Sequence, residues 1–386
     1  MTSVSVRHVS PAFRTYAGAD SLSALAKELA RTSAERVVLV HGRSLSRHPG
    51  ALELVESAIG ARRAASFGDV REHSPVDSVQ DAADLLSRTA ADAVVAVGGG
   101  SAIVTARAAV ILSAEGGAVH DLATRRENGA LVSPRLNAPK IAQWIVPTTP
   151  TTAYAKAGAA VRDLATGERH ALFDPKARAA GVFLHPALAA TAPASLARGS
   201  ALNAFAMAVD GLQSGVDDPL AEAQMRHALQ MIATWLPRLG AEVDGDVGVR
   251  LMLAALLSGQ ASDFVGTGLA QPISHALGPR SSAGNGVVEA MMLPHIMRFN
   301  AGRTDAGLAA VAQALHPAGP DDPEAAIAAV VAFLAASAVP ARLRDVGLEA
   351  EALDAAIAHI ADDWSSTRVP RPASANELRE ILRAAW

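Results

Sequence analysis

Short apolar runs alternate with stretches of helical spacing over roughly the first half of the chain. Arg36-Val37-Val38-Leu39-Val40 and Ala93-Val94-Val95-Ala96-Val97 are rich in β-branched residues and carry no polar alternation, the pattern of strands covered on both faces. Trp144-Ile145-Val146-Pro147, ended by a proline and a threonine cluster, predicts another strand, and Gly181-Val182-Phe183-Leu184 before His185-Pro186 predicts the last. Between them lie helical segments such as Leu52 to Ile59. This alternation predicts a parallel sheet with crossover helices. After about residue 186 the texture changes: Ala, Leu and Met recur at helical spacing, punctuated by Pro237, Gly240, Pro272, Pro294 and Pro340. Two domains follow, an α/β domain over 1–185 and an all-helical one over 186–386, with no internal repeat or low-complexity linker.

Composition removes whole classes of function. Half of the 386 residues are hydrophobic and 19% are charged, which suits packed cores and not a disordered chain. A net charge of −4 disfavours a protein that tracks nucleic-acid phosphates, so a small molecule or a peptide is the expected partner. There is no cysteine, which rules out disulfides, thiolate metal sites and cysteine nucleophiles and fits a reducing cytoplasm. Apolar stretches end well short of a membrane span, and no apolar core follows a basic start at the N-terminus, so neither a membrane segment nor an export signal is expected.

The strand at 93–97 runs into Gly98-Gly99-Gly100-Ser101 and then a helix. Glycines let a diphosphate approach the backbone, the helix N-terminus supplies N–H groups, and Ser101 adds a hydroxyl. A purely structural tight turn would use the same residues. After Val40 the chain reads His41-Gly42-Arg43-Ser44, with no acid to hold a ribose 2′-hydroxyl; Arg43 and Ser44 instead suit a 2′-phosphate, against the alternative of a solvated loop arginine.

The GGGS loop, Pro147-Thr148-Thr149, Asp174-Pro175-Lys176 and Leu293-Pro294-His295-Ile296-Met297-Arg298-Phe299-Asn300 together resemble, in order and spacing, the iron-containing alcohol dehydrogenase family. Ser10-Pro11-Ala12-Phe13, the Asn203 segment ending Ala208-Val209-Asp210-Gly211-Leu212, and Arg371-Pro372 to Ala384-Ala385-Trp386 look most like its maleylacetate reductase branch. The resemblance implies a Rossmann-like dinucleotide-binding domain followed by a helical domain, the dehydroquinate synthase-like arrangement. It also implies an active site in the cleft between the domains, NAD(P) bound by Gly42, Arg43, Ser44, Gly98, Gly99, Gly100, Ser101, Thr148, Thr149 and Thr152, and a homodimer.

Where the family holds its metal with an Asp and a His four apart and two further His fourteen apart, this chain places Asn203, Met207, Gln271 and Asn285. Amides and a thioether suit Fe²⁺ or Zn²⁺ poorly beside carboxylate and imidazole, so no catalytic metal is expected; Met207 reads rather as plain core packing. His275 falls where the family keeps a second histidine beside the nicotinamide, and it is a candidate to move the substrate's proton or else a structural histidine. Other loop residues have changed as well. Val104 and Arg107 replace an acid and a lysine, and the family's Gly-Ser-Glu reads Ala153-Tyr154-Ala155 followed by Lys156. Tyr154 and Lys156 are further catalytic candidates, with a half-buried aromatic and a surface charge as the plain alternatives. Lys156, Lys176 and Arg298 are the cations expected to meet a substrate carboxylate.

Three functions follow. The first is a metal-independent NAD(P)-dependent oxidoreductase, with NADP favoured, that interconverts a hydroxyl and a carbonyl on an oxo or hydroxy acid. The second keeps that chemistry on a peptide: the family contains dehydrogenases of daptide-type peptide biosynthesis that oxidise a C-terminal threonine, whose β-keto acid then decarboxylates. The third is a nucleotide-binding protein without redox activity.

Overall fold

A computed structural model describes Val6 and residues 8–128 and 130–386; the first residues, on which part of the export-signal reading rests, lie outside the described ones. The chain divides into two compact units. One comprises Pro11–Pro193 with Glu242–Val249; the other comprises Ala194–Ala241 and Arg250–Trp386, together with the described residues up to Ser10. The division expected at residue 185 therefore falls after Pro193, and two short segments cross it, one at the N-terminus and one where a long helix begins.

In the α/β unit the elements run β1 (Arg14–Ala17), α1 (Ser21–Arg31), β2 (Val37–Gly42), α2 (Pro49–Ile59), β3 (Arg63–Val70), α3 (Val76–Arg88), β4 (Ala93–Gly98) and α4 (Gly100–Glu115). There follow a short helix α5 (Val119–Leu122), a hairpin of β5 (Arg125–Glu127) and β6 (Ala130–Val132), β7 (Ala142–Pro147), a second hairpin of β8 (Gly158–Arg162) and β9 (Arg169–Phe173), β10 (Gly181–Leu184) and α6 (Pro186–Ala189). Six of these strands form one sheet in the order β1-β10-β7-β4-β2-β3, with every pairing parallel. The β-branched runs build its centre: Val37 to Val40 and Val94 to Val97 are completely buried. One face, carrying Leu39, Val95, Val97, Trp144 and Phe183, closes over Leu25, Leu29, Val55 and Ile59 of α1 and α2. The alternation of strand side chains turns Val38, Val40, Val94 and Ala96 to the opposite face, where α4 packs. Each buried valine among them stabilises the fold by about 1.5–3 kcal/mol on burial.

The helical unit comprises α7 (Ala194–Leu212), α8 (Pro219–Trp235), α9 (Gly245–Val265, whose first turn clusters with the other unit), α10 (Ala270–Leu277), α11 (Asn285–Asn300), α12 (Asp305–Leu315), α13 (Pro323–Ala336), α14 (Ala350–Asp362) and α15 (Ala375–Ala385). Helix α7 is apolar around most of its circumference and lies buried from Ala204 to Leu212, as such a helix must. It crosses α11 at two glycines: a Cβ on Gly286 would stand 1.9 Å from the carbonyl oxygen of Gly199. Among the described residues no helix is long and apolar enough to cross a membrane.

Candidate active site

The phosphate loop forms where the sheet changes direction. From β2 the chain steps outward to β3 and returns to β4 on the other side of β2, so the loops leaving β2 and β4 diverge and open a crevice at their carboxyl ends. Gly42 closes β2 and Gly98 closes β4, which places the Gly42-Arg43-Ser44 and Gly98-to-Ser101 segments on the two sides of this crevice. Gly98 has φ +140°, and a Cβ there would lie 3.0 Å from that of Ala102; a Cβ on Gly99 would lie 3.2 Å from Thr149 Oγ1. Gly99 is the N-cap of α4 and no side chain caps it, so the first N–H groups of a sixteen-residue helix are left for an anion. Thr148 N–H donates to the Gly98 carbonyl at 3.0 Å, and Thr148, Thr149 and Thr152 are all buried beside the loop. The Ser101 hydroxyl accepts from His73 N–H at 3.2 Å, while Ser74 Oγ donates to the Ser101 carbonyl at 3.1 Å; His73 and Ser74 both adopt left-handed backbone. These residues fit the diphosphate of a dinucleotide.

Beside Arg43 the structure adds a residue that the local sequence does not reveal. Arg43 Nε donates to the carboxylate of Asp69, which stands at the end of β3, the neighbouring strand. An acid does stand beside the arginine, then, supplied by the adjacent strand and not by the loop after Val40. The pair holds the Asp69 carboxyl below its usual range, and both side chains are largely exposed.

In the helical unit, three of the four residues expected at the family's metal positions are tied to neighbours by their side chains. Asn203 Nδ2 donates to Glu289 of α11, Met207 Sδ accepts from Ser262 Oγ at 3.0 Å, and Gln271 Oε1 accepts from Thr267 Oγ1 at 2.8 Å. Asn285 opens α11 against the end of α10, where a Cβ on Gly278 would lie 2.2 Å from its Oδ1. Met207 is fully buried, as core packing expects; Asn203, Gln271 and Asn285 keep partial exposure. This donor set does not fit a divalent ion of the family's kind, since it offers no carboxylate or imidazole and its amides and thioether are neutral, weak donors. Among the described residues no three His, Asp or Glu side chains gather around one point. Two acids lie deeper. Burial pushes the carboxyl of Asp210 up to about 7 and that of Glu289 up to about 8, and Gly268 packs directly against Asp210.

His275 lies in the last turn of α10, one helical turn after Gln271. Its Nδ1 lies 2.8 Å from Oδ2 of Asp363, and the two side chains are each 12% exposed. Ser365 N–H donates to the other carboxylate oxygen at 2.8 Å, and Ser365 Oγ donates to it as well. Burial alone would raise Asp363, but the hydrogen bonds from His275 and Ser365 outweigh it and bring the carboxyl down to about 2. Asp363 stands 88 residues from His275 in the chain and belongs to no motif, which is why sequence reasoning passes over it.

The remaining candidates separate. Tyr154 is completely buried in the α/β unit and burial drives its phenol well above the usual range, the reverse of what a proton donor near neutrality requires. Its expected role as a catalytic acid gives way to packing. Lys156 follows the buried turn Thr152–Ala155 and is partly exposed. Lys176 is committed elsewhere, with Nζ 2.8 Å from the Leu136 carbonyl and 3.2 Å from Asp174, which also binds Lys140. Arg298 is exposed and donates to the Pro294 carbonyl of its own helix. Arg107, where the family has a lysine, is buried with Nη1 on the Gly158 carbonyl at 2.9 Å.

A parallel sheet with a glycine cradle at its switch point, continued by an all-helical unit, is the two-domain fold of a dinucleotide-binding type. The model of the iron-containing alcohol dehydrogenases matches residues 12–186, and that of the C-terminal domain of the Fe-containing alcohol dehydrogenase family matches residues 198–386. The chain belongs to the iron-containing alcohol dehydrogenase family. It is 26% identical to lactaldehyde reductase of Escherichia coli (strain K12) over 376 residues, covering 96% of this chain and 97% of that one. It is 28% identical to maleylacetate reductase 2 of Cupriavidus pinatubonensis over 381 residues, covering 97% and 94%. The crystal structure of maleylacetate reductase from Agrobacterium tumefaciens shares the fold with a TM-score of 0.79 at 23% identity, covering 100% of this chain and 99% of that one. The chain is accordingly an enzyme of the dehydrogenase and reductase type, acting on alcohol and carbonyl groups with a nicotinamide cofactor.

Proposed function

We propose that this enzyme works without a metal ion, reducing an oxo acid of the maleylacetate kind or oxidising the matching hydroxy acid, with NADP(H) as cofactor. The observation that carries this reading is the donor set of the helical unit. The positions read as the family's metal-ligand places hold Asn203, Met207, Gln271 and Asn285, the first three engaged by neighbours, while an imidazole remains at His275.

When bound, the cofactor supplies hydride chemistry. The chain's residues then have three tasks. The Gly98-to-Ser101 loop and Thr148, Thr149 and Thr152 anchor the diphosphate, and Gly42, Arg43 and Ser44 meet the adenosine ribose. Without a Lewis acid, neutral amide donors at Asn203, Gln271 and Asn285 stabilise oxygen charge in the way an oxyanion site does. His275 delivers or removes the proton on that oxygen, and Lys156 meets the substrate carboxylate. A carbonyl already activated by a nearby carboxylate needs less polarisation, which favours oxo acids over simple aldehydes.

The test is turnover of 2- and 4-oxo acids, maleylacetate among them, followed by NADPH consumption in wild type and His275→Ala. Wild-type turnover is expected, with a loss of about a hundredfold to ten-thousandfold in the variant and little change in cofactor affinity. NADPH binding without turnover of any hydroxy or oxo acid would reassign the chain as a nucleotide-binding protein. Turnover confined to a peptide ending in threonine would reassign it to peptide tailoring.

A further inference from the structure

We infer that Asp363 is the positioning residue of the reaction: it holds His275 by Nδ1, fixes which ring nitrogen carries the exchangeable proton, and routes proton exchange with the substrate oxygen through Nε2. The inference rests on the reading of His275 as the residue that moves this proton, and it assigns a task to a loop far from any recognised motif.

Three observations carry it. The contact is short and sheltered, with Nδ1 2.8 Å from Oδ2 and both side chains 12% exposed, so water competes weakly for either partner. The carboxylate is itself held, because Ser365 donates to Oδ1 from both its backbone N–H and its hydroxyl, leaving Oδ2 aimed at the ring. Finally, the turn that supplies this clamp is built for it. Asp363 ends α14 and caps the 3-10 turn Trp364–Arg368, and the Trp364 ring lies beside the imidazole at 6.1 Å between centroids. An ionised carboxylate is an acceptor only, so Nδ1 must be the donor in this pair. In the reduction direction the imidazolium Nε2–H bond breaks as the O–H bond forms on the substrate. The ring is left neutral with its proton on Nδ1, and a proton from solvent restores it; oxidation runs the same transfer in reverse. Free histidine places the neutral proton by its surroundings, and here the second group dictates it.

Asp363→Asn is the informative change, because Ser365 continues to hold Oδ1 and the new Nδ2 then faces the ring. That amide donates to Nδ1 and forces the proton to Nε2, the wrong tautomer for accepting a proton there; the same type of exchange in a serine protease triad costs catalysis while sparing geometry. The experiment is the imidazole region of a nitrogen-15 correlation spectrum of the full-length enzyme, with the His275 signals assigned by their loss in His275→Gln. In the neutral ring the wild type should show its proton on Nδ1, and Asp363→Asn should move it to Nε2. Alongside this, kcat for a reduced oxo acid should fall by about a hundredfold or more in Asp363→Asn with KM within about threefold, and Asp363→Glu should recover part of it. Ser365→Ala, a milder change that leaves the ion pair, should lower kcat by about tenfold.

An unchanged tautomer in folded Asp363→Asn overturns the positioning role whatever the activity, and so does a Ser365→Ala enzyme whose ring no longer differs from solvent-exposed histidines while kcat holds. A tautomer that moves with kcat unchanged shows that the dyad exists but that His275 carries no proton in turnover, which defeats the catalytic reading of His275 and this inference with it. The spectroscopic arm needs no substrate, so an unchanged tautomer overturns the inference even if every oxo acid tried is inert.

Discussion

Asn203 on α7 donates its side-chain N–H to Glu289 on α11, so the carboxylate partner lies on the neighbouring helix, fully buried, and an amide occupies the position where the family resemblance calls for an acid. The neutral amide is held in place, and the acid it touches is kept protonated by burial.

A consequence is a stability that depends on pH. Burial lifts Glu289 from 4.5 in the unfolded chain to about 8 in the folded one. The folded state therefore binds a proton that the unfolded state has released between these values, and stability falls as pH rises through that window and levels off above it. Denaturant unfolding of wild type at pH about 5 and about 9 should show a loss on the order of 2–4 kcal/mol from this group. Glu289→Gln, which keeps an uncharged partner for Asn203, should lose less over the same range, the remainder coming from Asp210, which burial raises to about 7. Equal losses in both proteins would show that Glu289 does not titrate in this way.

The contact between α7 and α11 that sets this pair is sterically exact at Gly286. A methyl group there meets the Gly199 carbonyl oxygen and lies 3.3 Å from Asn203 Cβ, so neither a rotamer change nor a flexible side chain can relieve it. Gly286→Ala is expected to cost about 3 kcal/mol or more, read as a lower unfolding midpoint, because backbone must move. Gly284→Ala, two residues away with nothing near its Cβ but with φ +77°, should lose less, through strain alone, at about 1 kcal/mol.

The Arg43–Asp69 pair makes a claim about cofactor choice. Arg43→Ala should weaken NADPH by roughly 1–3 kcal/mol and leave NADH nearly unchanged, the scale of a charged hydrogen bond to a 2′-phosphate. Asp69→Asn should act in the opposite sense: it frees the guanidinium for the phosphate and replaces a charged acceptor for a 2′-hydroxyl by a weaker, neutral one, so the ratio of NADPH to NADH affinity rises. Titrations of both cofactors by protein fluorescence decide it, and parallel losses for the two in Arg43→Ala would contradict the assignment.

Much of this architecture is legible in the sequence where burial on both sides forces a pattern. The strand expected at 93–97 ends one residue later, and Gly181–Leu184 is found as read, because an interior parallel strand must be apolar along its whole length. The edge strands are not legible. Arg-Thr-Tyr-Ala of β1 is too short to show a period, and β3, with Ala, Ser and Gly and substantial exposure, carries little β-branched signal. The same limit hides site residues. Asp69 reaches Arg43 only through the pairing of β3 with β2, Glu289 meets Asn203 only where two helices cross, and Asp363 meets His275 across 88 residues. The glycine loop, by contrast, is local: the chain runs from the end of β4 at Gly98 into α4 at Gly100. Tyr154, after the threonine cluster, reads either as a phenol acid or as a half-buried aromatic, and packing buries it entirely.

The central claim is that hydride transfer here needs no bound metal, and elemental analysis of the active enzyme tests it most directly. Protein purified without chelator should carry iron and zinc far below one equivalent per chain, and dialysis against a strong chelator should leave the oxo-acid turnover unchanged, because neutral amides and a thioether hold divalent ions weakly. One tightly bound ion per chain, with turnover lost on its removal and restored by its return, would contradict the account.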